Sequence, residues 1–288
     1  MAEMKKWISF QEQVELLDQR GCVIDDIDFC IDALKHTNYY RISAYLLPFK
    51  RGSEYRPGTT FSKIYQVYEF DRKMRSVLFS AMEEIEIYFR TQIAHYHAEK
   101  YGALGYCDPM NFREHSRHSE FVERFNKEVL RNSKVSFVKH HIEQYDGKFP
   151  LWVAVELFSF GTLTKFYADM HSTDQKKLAR IMYAEDAYNN GVLRSWLQCL
   201  TGVRNVCAHY GRLYYRPFSV PKPPRKIDFA LGNRLFDMIY VLRSLHPKRE
   251  TWNNSILPQI SSLIEQYETY INLSHIGFPP DWEKKLAK

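Results

Sequence analysis

Residues 61–101, FSKIYQVYEFDRKMRSVLFSAMEEIEIYFRTQIAHYHAEKY, decide the fold class. Within them Met74, Val77, Leu78, Ala81, Ile85, Tyr88 and Phe89 recur at steps of three and four, the spacing of one helical face. No Gly or Pro interrupts the stretch, so the pattern predicts one long helix over about 61–101, ended by Gly102 and Gly105. Working outward toward the start, residues 10–47 read as short helices around Val14, Leu16 and Leu17 and over 27–34. Pro48 and Arg51-Gly-Ser-Glu-Tyr-Arg-Pro-Gly58 then form a loop. Toward the end, 103–117 reads as a polar loop and 120–145 as a helix. Further helices are expected over 151–159, 163–170, 174–182, 191–210, 233–245 and 258–273. Pro217, Pro221, Pro223 and Pro224 mark an extended linker. No β-hairpin signal is found, and the expected fold is all-α, built of helical bundles with long helices. Asp146-Gly-Lys-Phe-Pro150 is the clearest punctuation, dividing the chain into an N-terminal helical region (1–148) and a C-terminal helical domain (149–288).

Composition narrows the class. A chain of 288 residues that is 45% hydrophobic and 26% charged is neither disordered nor fibrous. Gly and Pro are few, whereas Tyr and Phe are abundant, pointing to aromatic packing or stacking surfaces. The most apolar run, LWVAVELFSFGTL (151–163), is too short to span a bilayer and carries Glu156. The opening MAEMKKWISF lacks the apolar run and cleavage site of a signal peptide. Cys22, Cys30, Cys107, Cys199 and Cys207 are odd in number and form no CxxC pair, which fits reduced thiols in a cytoplasm.

The net charge of +6 is unevenly distributed. Between Asp186 and Asp228 no acidic residue occurs. That stretch holds Arg194, Arg204, Arg212, Arg216, Lys222, Arg225 and Lys226, interleaved with Tyr210, Tyr214, Tyr215 and Phe218. Cations neutralise phosphates and aromatic faces stack on unpaired bases, so Arg194, Arg212, Tyr214, Tyr215, Arg216, Lys222, Arg225 and Lys226 are candidate RNA contacts. A solvated basic surface facing an acidic neighbour is the plainer alternative.

Two segments share one pattern. Residues 90–96 read RTQIAHY and residues 204–210 read RNVCAHY, each near the end of an expected helix. Arg and His five positions apart are common by chance, as Arg113 and His118 illustrate in a polar stretch. The shared Ala-His-Tyr ending and the basic setting of the second copy are less ordinary. RNA can be cut without a metal when its 2′-hydroxyl attacks the adjacent phosphate. A histidine can move the proton, and an arginine can hold the phosphate oxygens as charge redistributes. This makes Arg204, His209, Arg90 and His95 candidate catalytic residues. Asn205, four positions before His209, could orient the imidazole or touch the phosphate.

Helical geometry complicates the pairing. Residues five apart differ by about 140° around a helix, so Arg204 and His209 diverge. Arg204 falls on the apolar stripe of Leu193, Leu197, Leu200 and Cys207, facing an interface, and His209 lies off it. The expected site is therefore composite: Arg204/His209 with Arg90/His95, or two copies across a homodimer. On the long helix His95 is expected nearer the apolar stripe, with Arg90 outward and paired to Glu86.

At these residues the chain resembles the Abi-like abortive-infection family of the AbiD/AbiF type, within the HEPN superfamily. The matching strings are HTNYYRIS (36–43), GTTF (58–61), YEFDRKMR (68–75), IEIYFRTQIAH (85–95), FSFGTL (158–163), VRNVCAHYGRL (203–213) and GFPPDW (277–282). The resemblance implies an all-helical ribonuclease of phage defence that cuts RNA without metal, leaving 2′,3′-cyclic phosphate and 5′-hydroxyl ends. It places the family's Arg and His at Arg204 and His209, with Asn205 as their polar neighbour. It also implies restraint of the toxin by a structured non-coding RNA.

Other chemistry has little support. His95/His97, His115/His118 and His140/His141 lack partners at zinc spacings, and no metal is expected. No Walker loop or GxGxxG occurs, so no nucleotide cofactor is expected. Cys207 reads as packing. The alternative to an enzyme is an RNA-binding scaffold that acts by sequestration.

Overall fold

The computed structural model describes residue 4, residues 6–182 and residues 189–288. Asp186, which bounds the acid-free stretch, lies outside the described residues. The expected all-α class is observed. Helices α1 (Phe10–Gln19), α2 (Ile27–Thr37) and α3 (Tyr39–Ser43) lead into strands β1 (Lys50–Arg51) and β2 (Glu54–Tyr55). Then follow α4 (Phe61–Tyr101), α5 (His115–Arg131), α6 (Ser136–Gln144), α7 (Leu151–Ala154), α8 (Phe160–Asp169), α9 (Ser172–Met182) and α10 (Asn190–Ala208). The chain finishes with α11 (Leu235–Leu245), α12 (Arg249–Thr251), α13 (Leu257–Tyr267) and α14 (Trp282–Leu286). A π turn over Trp252–Ile256 joins α12 to α13.

The 41-residue α4 is the axis of the molecule. It starts where Thr60 Oγ1 accepts the Lys63 amide and ends at Gly102, whose φ of 81° turns the chain while its amide bonds Ala98 O. Phe61, Ile64, Val67, Phe70, Met74, Leu78, Ala81, Ile85, Phe89 and Ile93 are all buried. Val77 and Tyr88 are only partly covered. Different partners take different lengths of this face: α13 and α10 pack on it, as do α7, α8, α9 and α11. Phe70 meets Tyr214 and Tyr267 edge-on, and Phe89 meets Phe160 and Tyr167 likewise, with centroids 5.8–6.4 Å apart. Most of the aromatic excess is thus packing. One hydrophobic core runs from Val14 to Leu286, and residues on both sides of Asp146–Pro150 contribute to it.

Three local expectations need correction. A two-residue hairpin pairs Lys50 with Tyr55 and Arg51 with Glu54 around Gly52, whose φ is 68°. Strands this short carry no alternation for a sequence to display. The helix expected over 120–145 is two helices, because Asn132 ends α5 and Val135, in extended backbone, precedes α6. The helix expected to reach 273 stops at Tyr267.

α10 begins on Asn189 Oδ1, which accepts the Val192 amide at 2.9 Å. Leu193, Leu197, Leu200 and Cys207 are buried along it, as the stripe required. The extended segment after it runs back along its flank: Cys199 Sγ donates to Ser219 O (3.5 Å), the Lys222 amide to Ser195 Oγ (3.0 Å) and Trp196 Nε1 to Lys222 O (2.8 Å). Among the described residues no helix is long and apolar enough to cross a membrane.

Candidate active site

The second motif closes α10. Ala208 is the last helical residue, and His209 caps the end with its amide directed at Asn205 O and Cys207 O. Tyr210 then takes the left-handed conformation at φ 56°, a role usually left to glycine. Gly211 is needed for room instead, since a Cβ there would sit 3.1 Å from Val206 Cγ1 and 3.2 Å from Val206 O. The helix therefore loosens immediately after His209. Asn205 and His209 are exposed, and neither side chain has a partner among the described residues.

Arg204, one turn back, is 31% exposed on the face toward α4. Its guanidinium lies over the Phe79 ring at 5.7 Å, and its Nε is 3.6 Å from Glu86 Oε2. That distance is an ion pair without a hydrogen bond, and Nε is buried with no donor contact satisfied. Arg204 is loosely tethered.

Arg90 is the opposite case. Its side chain is only 14% exposed, and it donates through Nη1 to Val155 O at 2.5 Å and through Nη2 to Phe158 O at 3.1 Å. Nη2 also donates to Glu86 Oε1 at 3.0 Å, and Glu156 Oε2 lies 3.7 Å from Nη1. The expected Glu86 pair is present, yet Arg90 is inward and locks α4 to the turn after α7. The two motif arginines share Glu86 and both line one cavity of about 440 Å³, together with Glu83 and Glu156.

His95 corrects a second expectation, since it is exposed and His97 is the buried histidine. Near its C-terminus α4 turns a new face inward, Ile93, Ala94, Tyr96 and His97, against α9 and the short turn at Gly105–Cys107. His95 lines a groove of about 500 Å³ with Arg90, Trp152 and Glu156. Arg90 and His95 therefore share a groove, Arg90 and Arg204 share a cavity, and His209 lines neither.

What the sequence did not disclose is the support behind the motif. Asp71, fully buried on α4, accepts the Leu213 amide (3.1 Å), the Tyr214 amide (2.7 Å), Tyr45 Oη (2.6 Å) and Arg75 Nη1 (2.5 Å). Arg75 Nη1 also donates to Gly211 O at 3.2 Å. Burial pushes the Asp71 carboxyl above its ordinary range, with Arg75, Tyr45 and the two amides pulling back. From the other side Arg41 donates to Tyr210 O at 2.6 Å and Arg212 donates to Ala44 O. The chain after His209 is thus clamped between α4 and α3. The i,i+4 spacing of Asp71 and Arg75 was visible in the sequence, but their partners lie far along the chain.

Of the proposed RNA contacts, Arg194, Tyr215, Arg216, Lys222, Arg225 and Lys226 are exposed. Because the segment after the motif runs back along α10, Lys222 lies beside that helix, against Ser195 and Trp196. Tyr214 is not among the exposed contacts: its ring is fully buried and its Oη meets His275 Nδ1 at 3.0 Å. Arg212, held on Ala44 O, is partly buried and serves the clamp. Cys207 is packing, and burial pushes its thiol up to about 12. Among the described residues no three His, Cys, Asp or Glu side chains gather as a metal site.

An all-helical chain with an Arg–Asn–His motif at the loosened end of a core helix is the class that fold and site define. Residues 32–215 match the family model of Abi-like proteins, and the chain belongs to that family, whose setting is abortive infection in phage defence. The match ends at Tyr215, so it contains both motifs and the Asp71 clamp. No curated protein and no solved structure matched the chain in the same comparisons.

Proposed function

We propose that the chain is a metal-independent endoribonuclease of the HEPN type, acting in the cytoplasm as an abortive-infection toxin and restrained by a structured non-coding RNA. The observation that carries this reading is the state of the second motif. Arg204 has no hydrogen bond at Nε, and Asn205 and His209 have no side-chain partner, on a backbone held firmly from both sides. A cation, an amide and an imidazole left open on a firmly held backbone are available to a ligand.

In the proposed reaction His209 takes the proton of a ribose 2′-hydroxyl, and the oxygen attacks the adjacent phosphorus. Arg204 holds the phosphate oxygens as charge builds, with Asn205 as a further donor. The 5′-oxygen departs and takes up a proton from imidazolium, leaving a 2′,3′-cyclic phosphate. Arg204 and His209 of one helix lie about 7.5 Å apart along its axis and face different ways. Arg90 is engaged by two carbonyls and Glu86. The pairing this favours is between two copies of the chain, Arg204 of one with His209 of the other.

The test uses protein stripped of RNA, labelled RNA and EDTA. Wild type cuts, and Arg204→Ala and His209→Ala each lose at least about a hundredfold in rate while still binding RNA. Mixing the two inactive variants restores cutting when the site spans two copies and restores none when each chain acts alone. The second reading, an RNA-binding scaffold, draws on the carboxylates of Glu83 and Glu86 beside Arg204. It is established instead if wild type binds RNA tightly and never cuts it, and if His209→Ala keeps the cellular effect.

A further inference from the structure

Six residues past His209 the backbone bends again at Tyr215, whose φ of 58° is left-handed. A bulky side chain held there costs on the order of 1 kcal/mol, and the Asp71 clamp on Leu213 and Tyr214 holds it in place. The turn presents the Tyr215 ring, 38% exposed, to solvent. Arg234 stacks its guanidinium 5.3 Å from the ring centre, and His275 meets the ring edge-on at 5.2 Å. Arg234 reaches this place only because residue 277 is glycine: a Cβ there would lie 2.5 Å from Arg234 Cβ. Arg216 is the next residue in the chain and is exposed, its guanidinium 6.0 Å from the Phe218 ring centre. Arg56, just past β2, is exposed and close enough to act on His275. Burial, then Arg56 and Arg234, hold His275 below its ordinary range, and no described carboxylate offsets them.

Several surface arginines have carboxylates close by: Arg72 with Glu69, Arg117 with Asp169, Arg124 with Glu120, Arg131 with Glu128. Arg56, Arg216 and Arg234 have none within ion-pair distance among the described residues. Arg56 and Arg234, from separate segments of chain, both act on His275, and a bound anion relieves such crowding of positive charge. An aromatic face flanked by guanidinium groups adds a surface on which an unpaired base can stack.

We propose that Arg234, stacked on Tyr215 beside His275, forms with the exposed Arg56 and Arg216 a phosphodiester-binding site for single-stranded RNA, built from side chains none of which belongs to the Arg204–Asn205–His209 motif. The proposal rests on the ribonuclease reading only for the identity of the anion. Its role is to grip the strand beyond the cut, with Tyr215 under a base and the arginines on the backbone.

The probe is a short fluorescein-labelled oligouridylate, its affinity followed by anisotropy across a salt series in EDTA. The triple variant Arg56→Gln/Arg216→Gln/Arg234→Gln is compared with wild type and with Arg131→Gln, a paired surface arginine. The triple variant is expected to lose at least about tenfold in affinity, and its log–log salt slope to shrink by about 2, roughly 0.7 per phosphate contact. Arg131→Gln behaves as wild type. Single Arg56→Gln, which touches no buried packing, shows a smaller loss in the same direction and separates binding from folding. Histidine NMR supplies an independent readout: saturating inorganic phosphate raises the His275 titration in wild type and leaves it in the triple variant. Equal affinity and slope in wild type and triple variant overturn the site, and if that wild type still cuts RNA the ribonuclease reading survives. A wild type that neither binds nor cuts RNA overturns both, and an unmoved His275 titration in phosphate overturns the anion site on its own.

Discussion

The two motifs are near copies in sequence and opposites in structure. Arg90 donates to two backbone carbonyls and a carboxylate, whereas Arg204 has one long ion pair. His95 sits within the continuous helix α4, whereas His209 stands where α10 ends and the backbone inverts at Tyr210. Glu86 joins them, one oxygen to each arginine. The comparison teaches that a shared pattern of residues does not carry shared surroundings: Arg90 braces α4, whereas Arg204, Asn205 and His209 are left with no side-chain hydrogen bond among the described residues.

The sharpest way to break this contrast is to remove each arginine in turn. Arg204→Ala is expected to cost at least about a hundredfold in RNA cleavage and to leave Tm within about 2 °C, since a partly exposed ion pair stabilises little. Arg90→Ala leaves Val155 O and Phe158 O without their donor, at about 2–3 kcal/mol, and lowers Tm by roughly 5 °C. Arg90→Lys does not restore it, because one ammonium cannot serve both carbonyls in the geometry of a guanidinium fork. Calorimetry beside a cleavage assay decides the matter: an Arg90 variant of wild-type stability and no activity would put the first motif back in the chemistry.

Legibility in the sequence follows the range of the interactions. α4 was readable because its apolar period and its Gly102 stop are both local. The break between α5 and α6 was not, since Asn132 to Val135 contains neither Gly nor Pro. His95, expected nearer the apolar stripe, is exposed because the buried face of so long a helix changes with each partner it meets. Arg204 on the stripe and His209 off it were foreseen from the helical wheel alone. The Asp71 clamp and the packing of Arg234 and His275 against Tyr215 were not, as each joins segments that are distant in the chain.

The same end of α4 supplies a smaller test. His97 is fully buried among Tyr101, Phe112 and Phe166, and neither ring nitrogen has a hydrogen-bond partner. Burial holds it down to about 4 from an ordinary 6.5, with Asp174 opposing and Lys100 assisting. Between those values the unfolded chain binds the proton and the folded one does not, so stability falls as pH drops from 6.5 toward 4. The loss reaches about 2 kcal/mol near pH 5. His97→Phe, which suits the aromatic surroundings, flattens that part of the pH profile. If denaturation midpoints of wild type and variant fall in parallel, His97 is not the group responsible.

Smallest of all is the effect at the shared carboxylate. Glu86→Gln keeps an acceptor for Arg90 and removes the charge that holds Arg204. RNA affinity is expected to rise about threefold, the ~0.6 kcal/mol of a solvent-screened pair. Anisotropy measures it directly, and a fall in affinity would mean that Glu86 presents Arg204 rather than restraining it.

The length of α4 has a consequence for the order in which the protein comes into being. A helix about 60 Å long is complete in sequence by Tyr101, but α8, α10 and α13, which cover it, follow only after Phe160. During synthesis the apolar side chains from Phe61 to Ile93 therefore emerge before their partners, and α13 is among the last to arrive. Contacts of such range close slowly and leave the chain in need of protection while they form. The same order holds for the motif: the Asp71 clamp cannot close on Leu213 and Tyr214 until those residues are made, so an unfinished chain has no assembled motif.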